Sequence, residues 1–279
     1  TVVLKHASNV PQCALALEAA FQQAGFPTHT FRTLMISAAQ AEQVIADRRI
    51  AAITLTGSSA AGRKVAAIAG QHLKKCVLEL GGSDPFIVLD DADIEWTAQQ
   101  ALIARLQNMG QSCIAAKRFI LQETIADSFV ERLQVLISQL RSGDPKDAAT
   151  TIAPMARMDL RNELHAQVER SLALGAKLLT GGFSIGEQGA YYAPTILDHV
   201  QPGMPAFDEE LFGPVFAIMR VGNAEEAIKL ANQTQFGLGG SVWTGDLARG
   251  EALARQIHAG CTFVNGIVKS DPRLPFGGI

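Results

Sequence analysis

The segment Cys76-Val77-Leu78-Glu79-Leu80-Gly81-Gly82-Ser83-Asp84-Pro85-Phe86-Ile87-Val88-Leu89 reads as two short apolar strands, over 76–80 and 85–89, parted by a Gly-Gly turn. On its amino side a helix over 58–70 opens at Gly57-Ser58, after the buried-strand run 50–55. Further back lie helices over 37–48 and 11–24, the latter closed by Gly25 and Pro27, and a strand over 1–5. On its carboxyl side, helical patterns over 93–108, 157–174, 224–232 and 246–259 alternate with strands over 118–122, 192–197, 215–221, 241–244 and 262–265. Ile125, Phe129, Leu133, Leu136 and Leu140 form one further helix face, for which Thr124 and Asp127 supply an expected capping box. Strands alternating with helices of this length specify βαβ units and a parallel sheet, so the fold class is α/β. Gly81-Gly82 is the expected boundary between a part spanning 1–80 and a part spanning 81–279.

Composition excludes several classes. Hydrophobic residues make up 48% of the 279, too many for a disordered chain. The 24 Lys+Arg nearly balance the 27 Asp+Glu, which leaves no electrostatic footprint for nucleic acid. No apolar run reaches the roughly 18 residues of a membrane helix, so no membrane partner is expected. The four cysteines, Cys13, Cys76, Cys113 and Cys261, lie far apart without a CxxC pair. That spacing argues against disulfides or zinc and fits a reducing, cytoplasmic setting. The histidines show no metal-ligand spacing and supply no general base for a Cys–His or Ser–His hydrolase, so no metal site is expected.

Three motifs can carry chemistry. Thr56-Gly57-Ser58-Ser59-Ala60-Ala61-Gly62 is a strand-to-helix turn able to aim N–H groups at a phosphate. It lacks the Gly-Lys-Ser/Thr of a P-loop, and Ser59 replaces the second glycine of the dinucleotide fingerprint. A phosphate-facing turn and a plain helix start capped by Ser58 both remain open. Cys113, in Asn108-Met109-Gly110-Gln111-Ser112-Cys113, follows a glycine in polar company, whereas Cys13, Cys76 and Cys261 sit in apolar patterns that read as packing positions. Glu79 is a lone carboxylate in an apolar strand, either a buried general base or an outward-facing surface residue.

Taken together, Ile53-Thr54-Leu55-Thr56-Gly57-Ser58, Leu78-Glu79-Leu80-Gly81-Gly82, Gly110-Gln111-Ser112-Cys113, Glu209-Glu210-Leu211-Phe212-Gly213-Pro214-Val215 and Pro275-Phe276-Gly277-Gly278 resemble the aldehyde dehydrogenase superfamily, in its order. The run 73–89, with Ser270-Asp271-Pro272, is most similar to its NAD(P)-dependent succinate-semialdehyde dehydrogenases. The resemblance implies a Rossmann-like nucleotide-binding part over 1–80, a Cys-bearing catalytic α/β part over 81–279, and a chain that is an internal piece of a longer protein. It implies Cys113 as nucleophile and Glu79 as the base that activates hydrolytic water. It further implies NAD or NADP held by Lys5, Ser8, Thr56, Gly57, Ser58, Ala61, Leu80, Glu210 and Phe212, and a homo-oligomer, dimer or tetramer.

Two positions depart from common family patterns. Ser8 replaces the glutamate of many NAD-preferring members, which leaves NADP open. Gln107 stands where some succinate-semialdehyde enzymes carry a carboxylate-binding Arg, so Arg105, Gln107, Lys269 and Ser270 become the substrate-binding candidates. A dehydrogenase for another aldehyde and an incompetent piece that only binds nucleotide are the competing readings.

Overall fold

Strands and helices alternate from the first residues of the computed structural model, which describes all of Thr1–Ile279. The chain divides into two units, Thr1–Leu80 and Gly81–Ile279. No helix is long and apolar enough to cross a membrane.

The first unit runs β1 (Val2–Leu4), α1 (Pro11–Gln23), β2 (Phe31–Thr33), α2 (Ala38–Ala46), β3 (Ala52–Thr56), α3 (Ser59–Gln71) and β4 (Lys75–Glu79). β1 pairs parallel with β2, and β3 pairs parallel with β4 in a register that ends at Thr56 opposite Glu79. Proline at the first position of α1 and a Ser37–Gln40 capping box on α2 satisfy helix starts locally. Glu18 docks α1 on β2 by accepting from the Thr33 N–H and from Arg32, both at 2.7 Å. Gly62 lets the Leu80 side chain pack close on α3, since a Cβ there would lie 2.6 Å from a Leu80 methyl.

The second unit runs β5 (Pro85–Val88), α4 (Ile94–Leu106), a 3-10 turn (Gln107–Gly110), β6 (Arg118–Gln122), α5 (Glu123–Ser138), α6 (Met158–Ala173), β7 (Lys177–Thr180), β8 (Thr195–Asp198), α7 (Pro205–Asp208), β9 (Val215–Val221), α8 (Ala224–Asn232), β10 (Gly239–Trp243), α9 (Leu247–Ala254) and β11 (Cys261–Val264). These strands make one seven-stranded sheet ordered β11-β10-β5-β6-β9-β8-β7. Every neighbouring pair is parallel except β7–β8, an antiparallel edge. The period-2 rule assigns the faces. Phe86, Val88, Phe119, Leu121, Phe216 and Ile218 pack with Ala98 and Ala101 of α4 and Phe129 and Leu133 of α5. Ile87, Ile120, Ala217 and Met219 point the other way, into a cluster with Leu164 and Val168 of α6 and Ile228 of α8. Both faces are covered, so the middles of the central strands are apolar, as a parallel sheet requires.

Several boundaries differ from the sequence expectation. β2 and β7 were not expected; each is too short to display a period. The helix expected over 93–108 stops at Leu106, because Asn108, Met109 and Gly110 adopt φ of 50°, 56° and 74°, outside the right-handed helical region. α9 ends at Ala254 rather than 259. The Thr124–Asp127 capping box does not form: α5 follows β6 directly, its cap is Gln122, and Asp127 pairs with Arg220 instead at 2.8 Å.

Phe119 has no exposed surface, and its ring lies 5.2 Å from those of both Phe86 and Phe216. Phe119→Ala is expected to lower the free energy of unfolding by about 3–5 kcal/mol in denaturant titrations. A loss below about 1 kcal/mol would contradict the packing described.

Candidate active site

In the second unit the polar residues converge at the amino ends of the sheet strands. Asp84 immediately precedes β5, Lys117 precedes β6, and Gly239 opens β10. The left-handed succession at 108–110 turns the chain sharply out of α4 and starts the loop that carries Cys113. Position 110 must be glycine on two counts: its φ is positive, and a Cβ there would lie 2.3 Å from the Gly213 carbonyl oxygen. Asn108 Nδ2 donates to the Gln111 carbonyl at 3.0 Å, and Gln111 Oε1 accepts from the Ala156 N–H at 3.0 Å.

Beneath this loop lie two buried cations. The guanidinium of Arg105 folds back and donates to the Gly110 carbonyl. The Lys117 ammonium donates to the carbonyls of Ser112 and Cys113, each at 2.9 Å, and to that of Ala115 at 3.1 Å. With those carbonyls turned inward, the N–H groups of Ser112 and Cys113 have no protein acceptor, and the Ile114 N–H meets the Cys113 sulfur. Gly82 presses on the loop from the other side: a Cβ there would lie 2.4 Å from the Cys113 carbonyl oxygen. The Gly82 N–H donates to Glu210 Oε1 at 3.0 Å, and Lys117 Nζ lies 3.4 Å from the same oxygen. Asp84 receives the Gly239 N–H on Oδ1 at 3.1 Å, while Oδ2 has no protein partner.

Burial dominates the electrostatics. It lowers Lys117 to about 8 and Arg105 to about 9, and raises Asp84 to about 6. Burial also pushes the Cys113 thiol up, opposed mainly by the Lys117 charge and then by the Ile114 N–H. A partly buried sulfur beside free N–H donors is the local arrangement a thiolate nucleophile and a developing oxyanion need.

In the first unit, Thr56, Gly57 and Ser58 are exposed where β3 passes into α3. Ser58 Oγ caps the helix by accepting from the Ala61 N–H at 3.3 Å, which leaves the Ser59 and Ala60 N–H groups without a protein acceptor. Those free donors at an exposed turn fit a dinucleotide's phosphates. Lys5 is partly buried, its Nζ donating to the His6 carbonyl at 2.7 Å, and Ser8 is exposed. Glu79 closes β4, is partly buried, and receives the Gly57 N–H on its carbonyl at 3.0 Å. Leu80 packs on Gly62.

Two expectations need correction. Arg105 has no exposed surface, so its guanidinium supports the cysteine loop from below and cannot meet a substrate carboxylate. Burial does not single out Cys113: Cys13 is exposed and Cys76 and Cys261 are only partly buried, so the packing role read for them does not hold. Gln107 and Phe212 are partly buried, whereas Lys269 and Ser270 are exposed. Sequence reasoning passed over Lys117 and Asp84 and read Gly82 only as a turn and boundary. The available signal was a pair of cations, Lys117-Arg118, set directly before an apolar strand. Two surface hollows, one lined by Val200, Arg220 and Lys229 and one by Arg170, Pro205 and Glu209, contain none of these groups.

Asp84 binds its proton more tightly in the folded chain than at its usual value of 3.8. Its contribution to stability is therefore full below that value and is lost as pH rises through about 6. Relative to Asp84→Asn, the native chain is expected to lose about 2–3 kcal/mol of unfolding free energy between about pH 4 and pH 7, read by urea titration. A constant difference across that range would contradict the assignment.

The aldehyde dehydrogenase family model matches residues 1–279. A Synechocystis sp. protein named probable succinate-semialdehyde dehydrogenase (NADP(+)) is 52% identical over 277 residues, 99% of this chain and 61% of the relative. The Escherichia coli succinate semialdehyde dehydrogenase (NAD(P)+) Sad is 49% identical over 277 residues, 99% of this chain and 60% of that protein. The crystal structure of succinic semialdehyde dehydrogenase from Streptococcus pyogenes in complex with NADP+ is similar with a TM-score of 0.96 at 40% identity, covering 99% of this chain and 61% of that one. The chain thus spans about 60% of the length of these curated relatives.

Proposed function

The chain belongs to the aldehyde dehydrogenase family, and from that premise we propose that the whole protein oxidises succinate semialdehyde to the acid with NADP or NAD. The observation that carries this reading is the Cys113 loop, whose Ser112, Cys113 and Ala115 carbonyls are held by Lys117 and whose Ser112 and Cys113 N–H groups have no protein acceptor. Cys113 attacks the aldehyde carbon as thiolate, giving a thiohemiacetal whose oxyanion accepts the Cys113 N–H. The nicotinamide, when bound, supplies the acceptor for the hydride lost from that carbon. A thioester on Cys113 remains. Glu79 takes a proton from water as that water attacks the thioester carbonyl; the acid leaves and the thiol is restored.

In this reading residues 1–80 hold the adenosine and diphosphate and supply the base Glu79, and residues 81–279 carry the nucleophile Cys113. Thr56, Gly57, Ser58 and Ala61 meet the diphosphate at the start of α3, and Lys5 meets the adenosine ribose. Leu80 would be a further cofactor contact, and Glu210 would hold the nicotinamide ribose with Phe212 beside the ring; Glu210 Oε1 is engaged by Gly82, so Oε2 is the oxygen it would offer. Ser8 brings no negative charge against a 2′-phosphate, in line with the NADP(+) in the relatives' names. Gln107, Lys269 and Ser270 are the candidates for the substrate's far carboxylate. Assembly as a homo-oligomer belongs to the same proposal.

In the full-length protein Cys113→Ala is expected to abolish turnover of succinate semialdehyde; retained turnover would remove Cys113 as nucleophile. Glu79→Gln is expected to give one burst of reduced cofactor per site, then a steady rate lowered by roughly a hundredfold or more. An unchanged steady rate without a burst would exclude Glu79 as the base. Comparison of succinate semialdehyde with butanal, each with NADP and NAD, tests the substrate. Equal kcat/KM for the two aldehydes would favour an enzyme for another aldehyde.

A further inference from the structure

Lys117 is 1% exposed, and an ammonium so buried needs a reason. Its three hydrogen bonds all go to backbone carbonyls of one loop, those of Ser112, Cys113 and Ala115. A lysine that merely neutralised a buried acid would spend its donors on the acid, yet Glu210 is the more distant contact at 3.4 Å. We propose that Lys117 is a positioning residue for Cys113: its ammonium gathers three carbonyls beneath the loop, leaves the Ser112 and Cys113 N–H groups without a protein acceptor, and sets a positive charge near the sulfur.

The inference rests on the reading of Cys113 as nucleophile. The other charges around the pair act in known directions. Asp84 and Glu210 both make the Cys113 thiolate harder to form, and burial of the sulfur adds to them, so Lys117 is the main charge in its favour. Arg105 lies close enough to destabilise the ammonium, whereas Glu210 and Asp84 stabilise it. Arg118 is occupied elsewhere, donating to the carbonyls of Ser83, Leu230 and Ala231. No other cation bonds Ser112, Cys113 or Ala115.

The test is the pH profile of iodoacetamide alkylation, read on the Cys113 peptide by mass spectrometry in the full-length protein. This readout needs no turnover, so an absence of succinate-semialdehyde activity would count against the proposed function and leave the role of Lys117 to be judged separately. Lys117→Gln keeps hydrogen-bond donors without the charge, Lys117→Arg keeps both, and Lys117→Met removes both. Gln and Met are expected to raise the alkylation midpoint and slow the neutral-pH rate roughly tenfold, the change for one pKa unit, with Arg closest to the native protein. In dehydrogenase assays kcat should fall with little change in the KM for the cofactor. A midpoint in folded Gln or Met that superimposes on the native one overturns the proposal, as does Gln matching or exceeding Arg. Misfolding of Met relieved by Arg supports it. Misfolding of all three overturns it, since the site then demands the shape of lysine rather than its charge.

Discussion

The close approach of two backbone segments governs this structure. Gly82 sits so near the Cys113 carbonyl that no side chain fits between them, and that contact brings the start of β5 against the loop before β6. Once the segments touch, carbonyls and carboxylates crowd into a space without water's dielectric, and cations must enter with them. Lys117 and Arg105 answer the carbonyls, Glu210 takes the Gly82 N–H, and Asp84 takes that of Gly239. The polar floor of the site follows from one steric fact.

Such a floor carries a cost. Asp84 keeps an oxygen without a protein partner, and Arg105 keeps two nitrogens in the same condition. Buried polar groups left in this state destabilise a fold by order of a kilocalorie each or more. The seven-stranded sheet with apolar clusters on both faces offsets this. The strongest packing, at Phe86, Phe119 and Phe216, lies on the same three strands whose amino ends adjoin the polar groups.

The alternation of strand and helix was legible because parallel strands buried on both faces must be apolar through their middles, and 85–89, 119–121 and 215–219 are. The Gly-Gly break was legible because glycine pairs disrupt both periods. Cys113 and Glu79 stood out because each departs from its neighbours in polarity. Lys117 and Asp84 did not, since a charge next to a turn is ordinarily solvated, and only tertiary packing reveals that these two are not. β2 and β7 were missed because three or four residues cannot display a period. The Thr124–Asp127 pattern misled because the ion-pair partner of Asp127, Arg220 on β9, is nearly a hundred residues away and invisible to local reading.

Open α/β sheets commonly place their ligands at the carboxyl ends of the strands, but in the second unit Asp84, Cys113 and Lys117 gather at the amino ends. Two central carboxyl ends are tied by short connections: α5 starts directly after β6, and α8 follows β9 after two residues. The segments entering the strands are longer, from Gly110 to β6, from α7 to β9 and from α8 to β10. One rim of the sheet therefore fixes register, while the other has chain to spare. Insertions and exchanges that retune selectivity among descendants of this sequence should accumulate on the entering rim, and grafts at the tight rim should unfold the sheet before they alter what it recognises.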